Sequence, residues 1–185
     1  WCSFCPGAAM GMEDMLENGL NVAVIEYHSG DSYANTYSNA RSLFYGVGGL
    51  PSTTFDGIQT FGGGSVTQSL YPYFLNFYED AHASESQFSV RIEHTLNGST
   101  CNANIIVKKV ADYSSPVTLH LVVTESEIQQ QWQNQTELHH VARLMVPDQN
   151  GTALSMETNQ TDTLTFSFQL NSVWNEENCR KLKVR

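Results

Sequence analysis

The 185-residue chain is short of positive charge: 9 Lys and Arg stand against 19 Asp and Glu, a net charge of −10. An acidic surface repels phosphate backbones, which argues against nucleic-acid binding. Long apolar runs are missing as well. The longest, such as Asn21-Val22-Ala23-Val24-Ile25, fall far short of the roughly 20 residues a membrane span needs. No basic stretch followed by an apolar one opens the sequence, so no secretory leader is visible; that absence leaves export open. Cysteine is scarce, at positions 2, 5, 101 and 179. What is present is enough apolar material for a core, at 41% hydrophobic residues, too much for a disordered chain.

The charge is uneven. Residues 1–85 hold one cation, Arg41, against nine carboxylates, whereas residues 86–185 are nearly balanced, with Arg180, Lys181, Lys183 and Arg185 forming a basic tail. The break suggests two domains, 1–85 and 86–185, joined near His82-Ala83-Ser84-Glu85-Ser86. Periodicity changes at the same place. Before it, Met10, Met12, Met15, Leu16 and Leu20 predict a helix over 7–20, stopped near Gly19. The run Val22–His28 predicts a strand buried on both faces. Further helices are predicted over 33–46 and 66–82, around a hairpin of Ser52–Phe55 and Ile58–Phe61 turned at Asp56-Gly57. After the break the period is two: Phe88, Val90 and Ile92; Cys101, Ala103, Ile105 and Val107; Val117, Leu119, Leu121 and Val123; Leu164, Phe166, Phe168 and Leu170. This predicts an all-β, immunoglobulin-like antiparallel sandwich of roughly seven strands, incomplete at the C-terminus as one option. Trp132 is not at immunoglobulin spacing from Cys101, and the Gln-rich segment from Glu125 to Glu137 reads as a loop or helical turn. Four Asn-x-Ser/Thr sequons, at Asn97, Asn134, Asn150 and Asn159, fall in the second part and match what its composition gives by chance.

The chemical signal is Trp1-Cys2-Ser3-Phe4-Cys5. Two thiols one turn apart at a helix N-terminus suit redox chemistry, because the helix dipole and free N–H groups stabilise a thiolate on the first. A structural disulfide and a metal site are the other readings. The metal reading is weak because zinc needs a second ligand pair, and Cys101 and Cys179 lack that spacing. Those two are core residues or a disulfide of the sandwich. His139 and His140, on opposite faces of a strand, would not share a metal. His28, at the end of its strand, is a cap or a neighbour of the cysteine pair.

The pair and the later Leu50-Pro51-Ser52-Thr53 resemble the two signatures of the thioredoxin superfamily, Trp-Cys-x-x-Cys and a cis-proline element, with the threonine one place late. The likeness covers residues 1–83, whose order of helix, strand, helix, hairpin and helix also matches. It implies that Cys2 is the nucleophile, Cys5 the resolving thiol, and Trp1, Leu50 and Pro51 the platform for an extended substrate. It also implies a central strand running into Trp1, hence residues upstream in the natural protein. The departures are Ser3-Phe4 between the cysteines, Pro6 after them, and no Lys or Arg nearby. The arrangement of Cys-x-x-Cys-Pro before a sandwich, with Leu138-His139-His140-Val141-Ala142-Arg143 and Gly151-Thr152, is similar to the twenty-eight-kilodalton outer-membrane protein family of Gram-negative bacteria. That implies an exported protein of the periplasm or outer membrane, with an upstream lipid anchor as one route. The expectation is therefore a thiol–disulfide oxidoreductase-like protein acting on protein thiols and disulfides, with no metal or other cofactor. The alternative is a non-enzymatic envelope binding or adhesion protein with a static disulfide.

Overall fold

A computed structural model describes residues 1–179 and the backbone of residues 182–184. Arg180, Lys181 and Arg185, most of the basic tail, lie outside the described residues. The chain is mixed helix and strand with antiparallel sheets, consistent with a thioredoxin-like domain followed by a β-sandwich. No helix among the described residues is long and apolar enough to cross a membrane.

Helix α1 spans Pro6–Glu17. Proline suits its first turn, where an N–H would have no partner. Gly19, at φ +73, ends it: its N–H bonds the Leu16 carbonyl and the Leu20 N–H bonds the Met15 carbonyl, the reciprocal pair of a Schellman close. Helix α2 spans Thr36–Phe44, shorter than the predicted 33–46 because Asn35 caps it. The Asn35 side-chain oxygen accepts the Ser38 N–H, and the Ser38 hydroxyl accepts the Asn35 N–H, both at 2.9 Å. The Asn35 amide also donates to the Ala142 carbonyl at 2.8 Å. Asn35→Ala should therefore lower the midpoint of urea unfolding, at a cost of about 1–2 kcal/mol. An unchanged midpoint would mean the cap is solvent-compensated.

Strands β1 (Ser52–Phe55) and β2 (Gln59–Gly62) form the predicted hairpin, with Asp56 and Gly57 both at positive φ. The return strand starts one residue later than predicted because Ile58 belongs to the turn and is exposed. Helix α3 covers Tyr71–His82; the predicted first turn, from residue 66, is instead a loop in which the Ser65 hydroxyl accepts the Gln68 N–H at 2.9 Å. Phe74 is fully buried, in a cluster with Met15, Leu70, Phe55 and Phe61. A Cβ on Gly11 would lie 2.9 Å from the Phe74 ring, so only glycine lets α1 come this close to α3.

The predicted strand Val22–His28 needs correction. The segment makes one parallel bridge, between Glu26 and Val141. Val24 is its one buried hydrophobic residue, so the apolar run does not sit between two ladders. One side of it touches the second half of the chain and the other faces a cleft.

From Phe88 onward every regular element among the described residues is a strand. Strands β3 (Phe88–Asn97), β4 (Thr100–Lys109), β5 (Val117–Leu119), β6 (Leu121–Glu125), β7 (Ile128–Trp132) and β8 (Gln135–Leu138) come first. Then follow β9 (Val141–Val146), β10 (Thr152–Leu154), β11 (Thr161–Gln169) and β12 (Leu182–Val184). One sheet has the order β11-β4-β3, another β12-β6-β9, and β10-β5 and β7-β8 are separate pairs. Alternate residues Cys101, Ala103, Ile105 and Val107 of β4 are buried. The last three pack with Leu121 and Val146 of the other sheet, as alternation requires. The predicted strand Val117–Val123 is split at His120, and the Gln-rich segment is the β7–β8 hairpin rather than a loop or helical turn. These short pieces raise the count above seven.

The two parts touch along β9. Besides the Glu26 bridge, Ile25, Tyr27 and Tyr37 pack against Val122, Ala142 and Met145. The His140 Nε2 lies 3.1 Å from Glu13 of α1. His139 and His140 occupy the loop between β8 and β9, not a strand, with ring centroids 6.2 Å apart.

Candidate active site

Cys2 and Cys5 form a disulfide with their Cα atoms 5.5 Å apart. Cys5 caps α1, its carbonyl accepting the Ala8 and Ala9 N–H groups at 3.0 and 3.1 Å. Cys2 precedes the helix. The disulfide thus stands at the positive end of the α1 dipole.

The loop of residues 63–65, which follows β2, clamps this turn. The Ser65 N–H bonds the Phe4 carbonyl at 2.9 Å, and the Gly7 N–H bonds the Ser65 carbonyl at 2.8 Å. A Cβ on Gly64 would fall 2.4 Å from the Phe4 oxygen and 2.8 Å from Pro51 Cδ. Glycine at 64 is therefore what lets the hairpin bring Pro51 against the cysteine turn. The Leu50–Pro51 peptide is cis. Trp1, Phe4 and Leu50 are exposed, giving the surface around the disulfide an apolar rim.

Trp1, Cys2, Cys5, Leu50 and Pro51, far apart in sequence, all line one cleft of about 710 Å³. Its walls are informative. Residues 21–29 and 50–56 border it without a gap in sequence. A strand presenting its face would contribute every second residue, so both segments turn their edges to the cleft. Among the described residues strand β1 pairs on one side only, with β2. Ala8, Met12 and Met15 of α1 line the cleft at helical spacing.

The remaining wall is polar. His28 Nδ1 sits 2.8 Å from Asp31 Oδ2, and its Nε2 lies 3.8 Å from Glu26 Oε2. The other Asp31 oxygen accepts the Tyr33 and Ala34 N–H groups at 2.9 and 3.0 Å. Burial disfavours the His28 charge, but hydrogen bonding and attraction from Glu26 and Asp31 outweigh it, so its pKa lies above the usual 6.5. Burial likewise works against the Asp31 charge, and His28 and the Tyr33 N–H overcome it, holding the carboxyl below its ordinary range. The Trp1 indole N–H donates to the Ser29 carbonyl at 2.9 Å, which ties this turn to the residue beside Cys2. His28 lines the same cleft as the cysteine pair. Glu26 and Asp31 carried no motif; their one visible signal was spacing around His28.

Cys101 and Cys179 are free and buried, so the disulfide option for them is set aside. Burial raises the Cys101 pKa. Burial and then the nearby Glu125 charge push Cys179 up to about 12, leaving both thiols protonated and inert at neutral pH.

The chain matches no protein-family model. It matches no curated protein. Among solved structures it is similar to HBP35 of Porphyromonas gingivalis, with a TM-score of 0.70 and 20% identity over 92% of this chain. The match spans 61% of that chain, and at this identity the likeness is one of fold.

Proposed function

We propose that this chain is an exported thiol–disulfide exchange protein working through Cys2 and Cys5. The observation that carries the reading is the Cys2–Cys5 disulfide at the N-terminus of α1, in one cleft with Trp1, Leu50 and Pro51. In the reduced form the Cys2 thiolate attacks a partner disulfide, forming a mixed disulfide and releasing one partner thiolate. Cys5, deprotonated, then attacks Cys2. The Cys2–Cys5 bond re-forms, the second partner thiolate leaves, and two electrons have passed to the partner. The two protons lost by Cys2 and Cys5 end on the partner thiols by way of solvent. Leu50 and Pro51 offer the backbone against which an extended partner segment lies, and Trp1 its apolar flank.

In the same reading residues 1–85 make up a thioredoxin-like domain, and residues 21–29 and 50–56 are the neighbours of its central strand. A strand residue in a packed sheet occupies about 3.3 Å along the chain, about 4.8 Å across and about 10 Å through the layers, roughly 160 Å³. The 710 Å³ cleft has room for about four to five of them. A strand running into Trp1 would end beside Ser29 and Leu50, parallel to Val22–His28 and antiparallel to β1. Placement in the cell envelope, and membership of the twenty-eight-kilodalton outer-membrane protein family, rest on the resemblance of Cys-x-x-Cys-Pro before a sandwich.

The second reading is a non-enzymatic envelope binding protein with a static disulfide. It is favoured by the acidic cleft, in which no Lys or Arg is found among the lining residues. Equilibration with glutathione separates the two. A potential in the range of cellular thiol couples, with insulin reduction by the dithiol form, supports exchange. A potential well below about −300 mV marks a structural disulfide and rejects it.

A further inference from the structure

A nucleophilic cysteine needs something that favours its thiolate, and around Cys2 the field is mostly negative. Nine carboxylates lie in residues 1–85, and Glu26, Asp31 and Asp56 line the cleft itself. The one cation of that stretch, Arg41, is buried, bonded to the Tyr45 hydroxyl at 2.6 Å and set against the Phe44 and Tyr45 rings. It is absent from the cleft lining. The helix end supplies a partial charge only.

His28 is differently placed. It lines the same cleft as Cys2 and Cys5, its side chain is 14% exposed, and it is held 2.8 Å from Asp31 and 3.8 Å from Glu26. The Trp1 indole donates to Ser29, next to His28, and lies 3.3 Å from where a Gly30 Cβ would stand. The residue joined to Cys2 is thereby fastened to the His28–Asp31 turn. We propose that the His28 imidazolium, positioned by Asp31 and Glu26, is the charge that favours the Cys2 thiolate in the reduced protein. This deepens the exchange reading and rests on it.

The charge count supports the direction. With His28 protonated, the trio of Glu26, His28 and Asp31 carries one net negative charge; with His28 neutral it carries two. The Tyr33 ring, 5.4 Å away, closes the other side, and the Arg143 guanidinium lies 4.9 Å from that ring, itself paired with Glu125. The raised pKa of His28 keeps its charge to a higher pH than an ordinary histidine would, and that charge fades as pH rises through the folded value. His28 is a positioning and electrostatic residue here; it forms no bond to the substrate.

The test is the pH dependence of Cys2 alkylation by iodoacetamide in the fully reduced protein, read by mass spectrometry on the N-terminal peptide. His28→Gln should move the midpoint up by about half to one unit, slowing alkylation at pH 6.5 roughly three- to tenfold. His28→Lys, which keeps a charge, should stay near the wild type, and Asp31→Asn, which removes one negative charge of the trio, should not move the midpoint up. An unmoved midpoint in His28→Gln, or His28→Lys behaving like His28→Gln, overturns the proposal. If His28→Gln does not fold, as judged by circular dichroism, His28→Asn and His28→Lys decide: a raised midpoint in the first alone supports it, and any other pattern overturns it. Alkylation does not require turnover, so the two readings fail separately. Shifted midpoints without insulin reduction reject exchange and keep the His28 role; insulin reduction with unshifted midpoints does the reverse.

Discussion

Cys2→Ser should reduce insulin turnover to the rate seen without protein, while Cys5→Ser should still attack and then stall as a mixed disulfide. The asymmetry comes from where the two residues stand relative to α1. Cys5 is built into the helix start, its carbonyl bonded to two N–H groups of the first turn, so its sulfur moves only by rotation of one side chain. Cys2 stands one turn outside the helix, next to the exposed Trp1, where an incoming disulfide can align with it. Loss of the attacking thiol removes the first step. Loss of the resolving thiol leaves the first bond made and nothing to cleave it. Non-reducing electrophoresis of the Cys5→Ser protein with a disulfide-bearing partner would show the trapped adduct. Turnover by Cys2→Ser equal to the wild type would remove the pair from any exchange role. An adduct formed by Cys2→Ser and not by Cys5→Ser would reverse the assignment.

Glu125→Ala should destabilise the fold by about 3–5 kcal/mol, lowering the melting temperature by roughly 6–20 °C at ~2–4 °C per kcal/mol for a chain of this size. Glu125 is buried and accepts from both sides: Arg143 Nε at 2.7 Å and the Asn175 N–H at 2.8 Å. The Arg143 guanidinium lies 4.9 Å from the Tyr33 ring and 6.0 Å from that of Trp174. Removing the carboxylate leaves a largely buried cation and a backbone donor without their acceptor, which is the expensive way to break such a pair. Replacing both partners at once, Glu125→Leu with Arg143→Met, should cost far less, since no lone charge remains. Calorimetry on the single and double variants reads the difference. A loss below about 1 kcal/mol in Glu125→Ala would mean that water reaches Arg143 as at a surface pair.

How much of this was legible in the chain depends on the range of the interaction. Cys2, Cys5 and Pro51 could be read because each belongs to a short pattern with its own chemistry. The hairpin could be read from Asp56-Gly57, whose positive φ values the residue types announce. Helix ends were read less well. Residues 33–35 looked helical until the Asn35 and Ser38 side chains, bonded reciprocally, fixed the start at Thr36. Val22–His28 reads as a strand hidden on both faces, but an apolar run does not say how far each face is covered, and of its hydrophobic residues Val24 is the buried one. His120 broke what alternation showed as one strand, since a period of two does not reveal where pairing passes from β10 to β9. Gly64 carries no readable signal, because its meaning lies in its close approach to Phe4 and Pro51. Of the trio only His28 is legible, at the end of its segment; its contacts with Glu26 and Asp31 are local but follow no short pattern.

The contact between Glu26 and Val141 has a temporal side. It joins residues separated by more than half of the chain, so a long loop closes when it forms. Closing so long a loop costs entropy that only late packing offsets. The edge of Val22–His28 that this bridge covers stays open until β9 arrives. During synthesis the cysteine-bearing half therefore leaves the ribosome well before the strand that shields its flank, and it spends that interval with an uncovered backbone edge available to other chains.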